Sequence, residues 1–192
     1  TNGIGSGVHM AMSALLKKHG LGPNDYKTIE VQFSNMNAVL AEKKADLITA
    51  TAPFVYDPVL EPIGRTLFTQ KDALGVVALS FWTAREGFLQ KNRAAMVDLL
   101  EDYVRAVRWY IDPANHKEAT ELVANFLKAP PERMSWAFTK RDFYRDKDAL
   151  PDLAAIQSNV KAQKELGLIQ QEIDVNKHAD LSLVKEGAAR IK

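Results

Sequence analysis

Between Ser6 and Ala52 the apolar residues switch between two periods, and that alternation narrows the folds open to this chain more than any other feature. Over 6–19, Val8, Met12, Leu15 and Leu16 fall at i, i+4, i+7 and i+8, the stripe of an amphipathic helix. Ser6 is placed to cap its start. Gly20 stands where a left-handed residue closes a helix, and Pro23 keeps the helix from resuming. Ile29, Val31 and Phe33 then alternate with polar neighbours, which predicts a strand with one exposed face. A helix over about 35–44 follows, and the run 47–52, rich in β-branched residues, reads as a second strand. Helix, strand, helix, strand with short connections predicts a parallel sheet covered by helices, an α/β lobe over 1–73.

Residues 66–69 and 74–82 offer two further strands, the latter long enough to cross to another body. After Arg85 the pattern turns helical. Val97, Leu100, Val104, Val107 and Ile111 recur every three or four positions, predicting a long helix over 93–111. Asp112-Pro113 ends it and opens the next, whose stripe is Ala119, Leu122, Val123, Phe126 and Leu127. Pro130-Pro131 closes that one. A shorter helix over 132–139 and another over 153–166, ended by Gly167, complete a region at 74–192 that is read as a crossover strand and helices packing on the first lobe and hinge. No repeat or flexible linker separates the halves.

The 192 residues carry 25 basic and 24 acidic side chains, so no global field attracts a nucleic acid or an anionic membrane. Arg105, Arg108, Arg133, Lys140, Arg141 and Arg145 lie among Trp109, Trp136 and Tyr144, but nearby acids balance them, and solvated helix faces account for them better than a nucleic-acid surface. No run approaches the ~18 apolar residues of a membrane span. Without cysteine there is no thiol chemistry, thiolate metal site or disulfide. No histidine pair has metal-ligand spacing, so neither a metal nor another cofactor is expected. No serine sits in a nucleophile elbow, and nothing in the chain demands an enzyme. The chain opens on a glycine-rich turn of the kind that follows a strand, and lacks an initiator methionine; the expectation is a polypeptide missing an earlier part.

Two loops carry the chemistry. Gly3-Ile4-Gly5-Ser6-Gly7-Val8-His9 opens onto a helix, where free N–H groups, the positive end of the helix dipole and a hydroxyl favour an anion. It is neither a dinucleotide fingerprint nor a Walker A loop. Gly5, Ser6, Gly7 and His9 are the candidate contacts, with the alternative that the glycines only turn and Ser6 only caps. The second loop, 49–58, leaves the end of the second strand; Thr49 and Thr51 could donate to an anion, and Phe54 or Tyr56 could cover an apolar part of a ligand. The alternative there is threonines as ordinary strand residues and aromatics as core.

In order along the chain, Ser6-Gly7-Val8-His9, the stretch 37–46 ending in Ala45-Asp46, Tyr56-Asp57-Pro58, the segment 79–88 and the tail 165–175 resemble the nitrate/sulfonate/taurine group of ABC-transporter solute-binding proteins. The resemblance implies a type II periplasmic-binding-protein clamshell: one Rossmann-like lobe plus a helical C-terminal region belonging to the other lobe, with the N-terminal lobe strands missing. It implies capture of a small oxyanion-bearing solute (a sulfonate, taurine, nitrate, bicarbonate or a carboxylate) in the cleft, delivery to an ABC permease, and a periplasmic or lipid-anchored extracytoplasmic location. Edges left open by the missing strands would be covered by that segment or by a second copy in a dimer. Two other functions share the fold class: an enzyme like the thiamine-pyrimidine synthase, whose cysteine-rich motif this chain lacks, and the ligand-sensing domain of a regulator.

Overall fold

A computed structural model describes residues 1–78, 80–139 and 146–191. Eight α-helices occur among them: α1 Gly7–Lys18, α2 Met36–Ala41, α3 Gln70–Leu74, α4 Glu86–Lys91, α5 Arg93–Ile111, α6 His116–Leu127, α7 Leu153–Glu165 and α8 Ser182–Arg190. Leu79, Lys140, Arg141, Tyr144 and Arg145, singled out in the sequence, lie outside the described residues.

No strand occurs among the described residues, so the expected α/β class, with its Rossmann-like lobe and clamshell, is corrected to a helical fold joined by extended connections. The reason is that a strand needs a partner as well as an alternating pattern. Around 29–31 the chain is extended, and Thr1 donates to the Ile29 carbonyl at 3.1 Å while Val31 N–H donates to the Thr1 carbonyl at 2.8 Å. Two bonds do not make a ladder, and the chain turns at once, Ser6 N–H reaching back to the Gly3 carbonyl. Residues 47–50 likewise form no regular pairing. The expected strand at 66–69 instead leads into a helix: Thr69 and Asp72 form a capping box, each side chain accepting the other's backbone N–H, so α3 starts at Gln70, and Gly75 at φ +74° ends it; the described residues of 75–82 form no strand either.

The chain divides into two compact units, Thr1–Leu79 with Leu153–Asn176, and Ser80–Asp152 with Lys177–Lys192. In the first, α1 packs against α3 and α7, burying Met10, Ala11, Met12, Ala73, Ala155 and Ile156. Lys18 Nζ donates to the Ala73 carbonyl and Lys17 Nζ to that of Glu165, so the basic last turn of α1 ties down the ends of both neighbours. Helices α1 and α7 end alike. Gly20 and Gly167 adopt φ of +79° and +73°, and Leu21 and Leu168 N–H donate to the carbonyls of Leu16 and Gln163 in the turn before.

In the second unit α5 is the spine. Its apolar stripe, Val97, Val104 and Val107, is buried, and Leu183 and Val184 of α8 are buried with it. Helices α5 and α8 meet at Gly187, where an added Cβ would lie 2.8 Å from Glu101 N and 3.1 Å from the Val97 carbonyl. Ion pairs flank the crossing: Arg93 with Glu186 at 2.8 Å and Arg190 with Asp98 at 2.7 Å. Asp112 accepts from Ala114 N–H at the start of the turn that leads into α6. Ala124, Met134 and Ala137 form a small core there, with Val123, Trp136 and Phe138 against it.

Candidate functional site

The glycine-rich turn is built as its sequence suggests, and it is already furnished with acceptors. Ser6, extended at φ −67° and ψ 163°, caps α1 by accepting from His9 N–H at 3.3 Å. Its hydroxyl donates to Asn2 Oδ1 at 2.8 Å. Gly5 takes φ +84°, open to glycine at little cost, and its N–H donates to His9 Nδ1 at 3.1 Å. Ile4 N–H donates to the Glu30 carboxylate at 2.6 Å. Four donors that an anion would use, Ser6 O–H and the N–H groups of Ile4, Gly5 and His9, are thus engaged by the chain itself. Among the described residues no acceptor meets the N–H groups of Gly7 and Val8, and no acidic side chain occupies the first turn of α1. Those two N–H groups and the dipole of a 12-residue helix are what the turn offers to an anion.

His9 is buried and lies under the turn rather than beside it. Burial holds its imidazole below the usual histidine range, against the opposing pull of Glu30. Because Nδ1 accepts from Gly5, the neutral ring carries its proton on Nε2, 3.5 Å from Ser13 Oγ, to which the Tyr26 hydroxyl donates. Protonating His9 would break the Gly5 contact.

The second loop belongs to the same unit. Thr1, Ile29, Val31, Met36, Val39, Ala45, Leu47 and Ile48 line one recess with room for about one water, and the Ser6 turn and the Thr49 loop leave its rim from Thr1 and Ile48. Thr49, half-buried, turns its hydroxyl to the sulfur of Met36 at 3.7 Å. Thr51 uses its carbonyl to accept from Val55 N–H. Phe54 is half-buried and Tyr56 is exposed, on a single 3₁₀ turn. The structure thus brings Gly5, Ser6 and His9 into one hydrogen-bonded cluster with Gly7 at its helix start, and ties Thr49 and Phe54 to Met36 and Asn37 at the start of α2, with Thr51 and Tyr56 on the same loop.

Three residues passed over in the sequence organise these loops. Asn2 and Glu30 supply acceptors to the first, which no local pattern announces. Asn37 holds the second: it is buried, and its Nδ2 donates to the Phe54 carbonyl at 3.0 Å. Its signal was readable, a polar residue on the arc of α2 that also carries Met36 and Leu40. Among the described residues no group of three or more His, Cys, Asp or Glu side chains could hold a metal ion.

A model of the NMT1-like family matches residues 3–124, a span that contains both loops. No curated protein and no solved structure matches the chain.

Proposed function

The chain belongs to the NMT1-like family, and from that premise we propose that it is the solute-binding component of an ABC importer, holding a small oxyanion-bearing solute at the Ser6 turn and the loop at 49–56. The family is that of nitrate/sulfonate/taurine-type solute-binding proteins, and membership supports a solute-binding role. The observation that carries the reading is that the matched span covers both loops, one of which ends in unpaired helix-start N–H groups. In this role the protein performs no chemistry. Gly7 and Val8 N–H and the α1 dipole hold the anionic group, the Ser6 cap keeps those donors aligned, and Phe54 and Tyr56 cover the remainder of the solute. It works on the extracytoplasmic side, free in the periplasm or lipid-anchored, and hands its cargo to a membrane permease.

The test is the thermal midpoint with and without taurine, alkanesulfonates, nitrate, bicarbonate and aromatic carboxylates. A solute at about 100 times its Kd adds roughly 2.7 kcal/mol, several degrees for a chain of this size. The expected result is a shift with one chemical class that Ser6→Ala diminishes. No shift with any of them removes the reading.

A further inference from the structure

Asn37 does more than its bond to Phe54 requires. Only 8% of its surface is exposed, and Nδ2 lies 3.0 Å from the Phe54 carbonyl oxygen. That contact fixes which end of the amide is which, because turning it over would set two acceptors face to face. The remaining atom, Oδ1, is buried and meets no donor. Buried acceptors are nearly always paired, since an unpaired one has lost its water and gained nothing. The surroundings are those of the second loop: Thr49 rests its hydroxyl on Met36, the residue before Asn37, and Phe54 opens the 3₁₀ turn that carries Tyr56.

We propose that Asn37 is a specificity-determining residue of the solute site: Oδ1 accepts a hydrogen bond from an N–H or O–H group of the bound solute, so the preferred solutes carry such a donor near their anionic group. This rests on the solute-binding reading above. In the structure the Nδ2 bond of the same amide ties the loop 51–57 to α2, and Ala52, Val55 and Tyr56 of that loop are exposed. A solute whose donor replaces the loop at Asn37 exchanges an amide with one partner for an amide with its acceptor satisfied. A solute without a donor leaves the acceptor unpaired and gains nothing there. Inorganic anions and simple alkanesulfonates are therefore the poorer ligands, and amino- or hydroxy-substituted sulfonates and carboxylates the better.

The experiment titrates matched probes calorimetrically: taurine against ethanesulfonate, β-alanine against propanoate, and glycolate against acetate, each with the wild-type protein and with Asn37→Leu. The donor-bearing member of at least one pair binds the wild type ~10-fold or more tightly than its analogue. Asn37→Leu brings that pair to within about twofold by weakening the donor-bearing member alone. A residue that merely staples the loop would weaken both members equally and leave their ratio intact, and that outcome overturns the proposal. Without ligand, Asn37→Leu melts within about 2 °C of wild type, because the unpaired acceptor leaves together with the one hydrogen bond. If the variant does not fold, equal affinities of the wild type for both members of every pair overturn the proposal by themselves. If probes bind without preference, the inference falls and the solute-binding reading stands; if none binds the wild type, that reading falls and takes the inference with it.

Discussion

Gly187→Ala tests how closely α5 and α8 approach. The new methyl would meet only main chain: Glu101 N at 2.8 Å, the Val97 carbonyl oxygen at 3.1 Å and Glu101 Cα at 3.2 Å. Comfortable carbon contacts begin near 3.5 Å, so α8 must withdraw by roughly half an ångström or more. Backbone in two helices cannot rotate aside as a side chain can. Overpacking costs about 1–3 kcal/mol, of which the upper part, about 2–3, applies against rigid main chain, and alanine returns about 1 kcal/mol through helix propensity. Withdrawal also stretches the pairs of Arg93 with Glu186 and Arg190 with Asp98, which are solvent-exposed and add little. The net expectation is a loss of about 1–2 kcal/mol, or roughly 2–8 °C in the thermal midpoint followed by circular dichroism. Gly87→Ala supplies the control. Gly87 lies in α4 with nothing within 4 Å of its missing Cβ, so the same substitution is neutral or stabilising there. An unchanged or raised midpoint for Gly187→Ala would refute the close crossing, whatever Gly87→Ala does.

Ser6→Ala removes the acceptor for His9 N–H and should lower stability by ~1 kcal/mol, read as a drop of about 2–4 °C; no drop would mean that the cap contributes nothing. Gly20→Ala keeps open space around its Cβ but forces alanine to φ +79°, a penalty of about 1 kcal/mol by denaturant titration; an unaffected midpoint would show that α1 ends otherwise. The third prediction concerns pH. Because the folded His9 is held below its unfolded value near 6.5, the unfolded chain takes up the proton first as pH falls, so stability is full above about 6.5 and declines below it toward the folded pKa. His9→Gln should flatten the midpoint–pH curve just below 6.5, and an unchanged slope would remove His9 as its source.

Where the sequence alone succeeded, the physics was local. Helix α5 has the bounds its stripe predicted, 93–111, because an apolar face repeated over five turns and Asp112-Pro113 leave few alternatives. Ser6, Gly20 and Gly167 cap as expected, since capping needs only the residues on the spot. The failures are non-local. Alternation at 29–33 and 47–52 specifies an extended chain but cannot supply the neighbour that turns extension into a sheet. The Thr69/Asp72 box was local and was overlooked, because the apolar run after it resembled a strand. Helix α8 escaped notice for the opposite reason: Gly187 interrupts its pattern, and only the crossing with α5 explains a glycine there. Within the candidate site the capping serine and the glycines were legible. Asn37 was legible too, as a polar residue on the arc of α2 that carries Met36 and Leu40, whereas Asn2 and Glu30 were not, because nothing next to them in the chain marks the partners they meet 4 and 26 residues away.

The way the Ser6 turn is furnished limits how much of a solute's affinity it can provide. An anion near Ile4 must displace the Glu30 carboxylate, and one near Gly5 must displace His9 Nδ1, so each of those contacts is an exchange rather than a gain. Only the Gly7 and Val8 N–H groups and the helix dipole are uncommitted, and a charge at a helix start is worth about 0.3–2 kcal/mol. Even millimolar binding requires about 4 kcal/mol. The balance must come from the rest of the proposed site, where the loop 51–57 offers aromatic rings to bury and Asn37 Oδ1, on α2, meets no donor. A turn that orients an anion weakly and a loop that recognises the rest divide the work in a definite way: changes at Ser6 should lower affinity for all oxyanions alike, whereas changes at Asn37 should alter the order in which solutes are preferred.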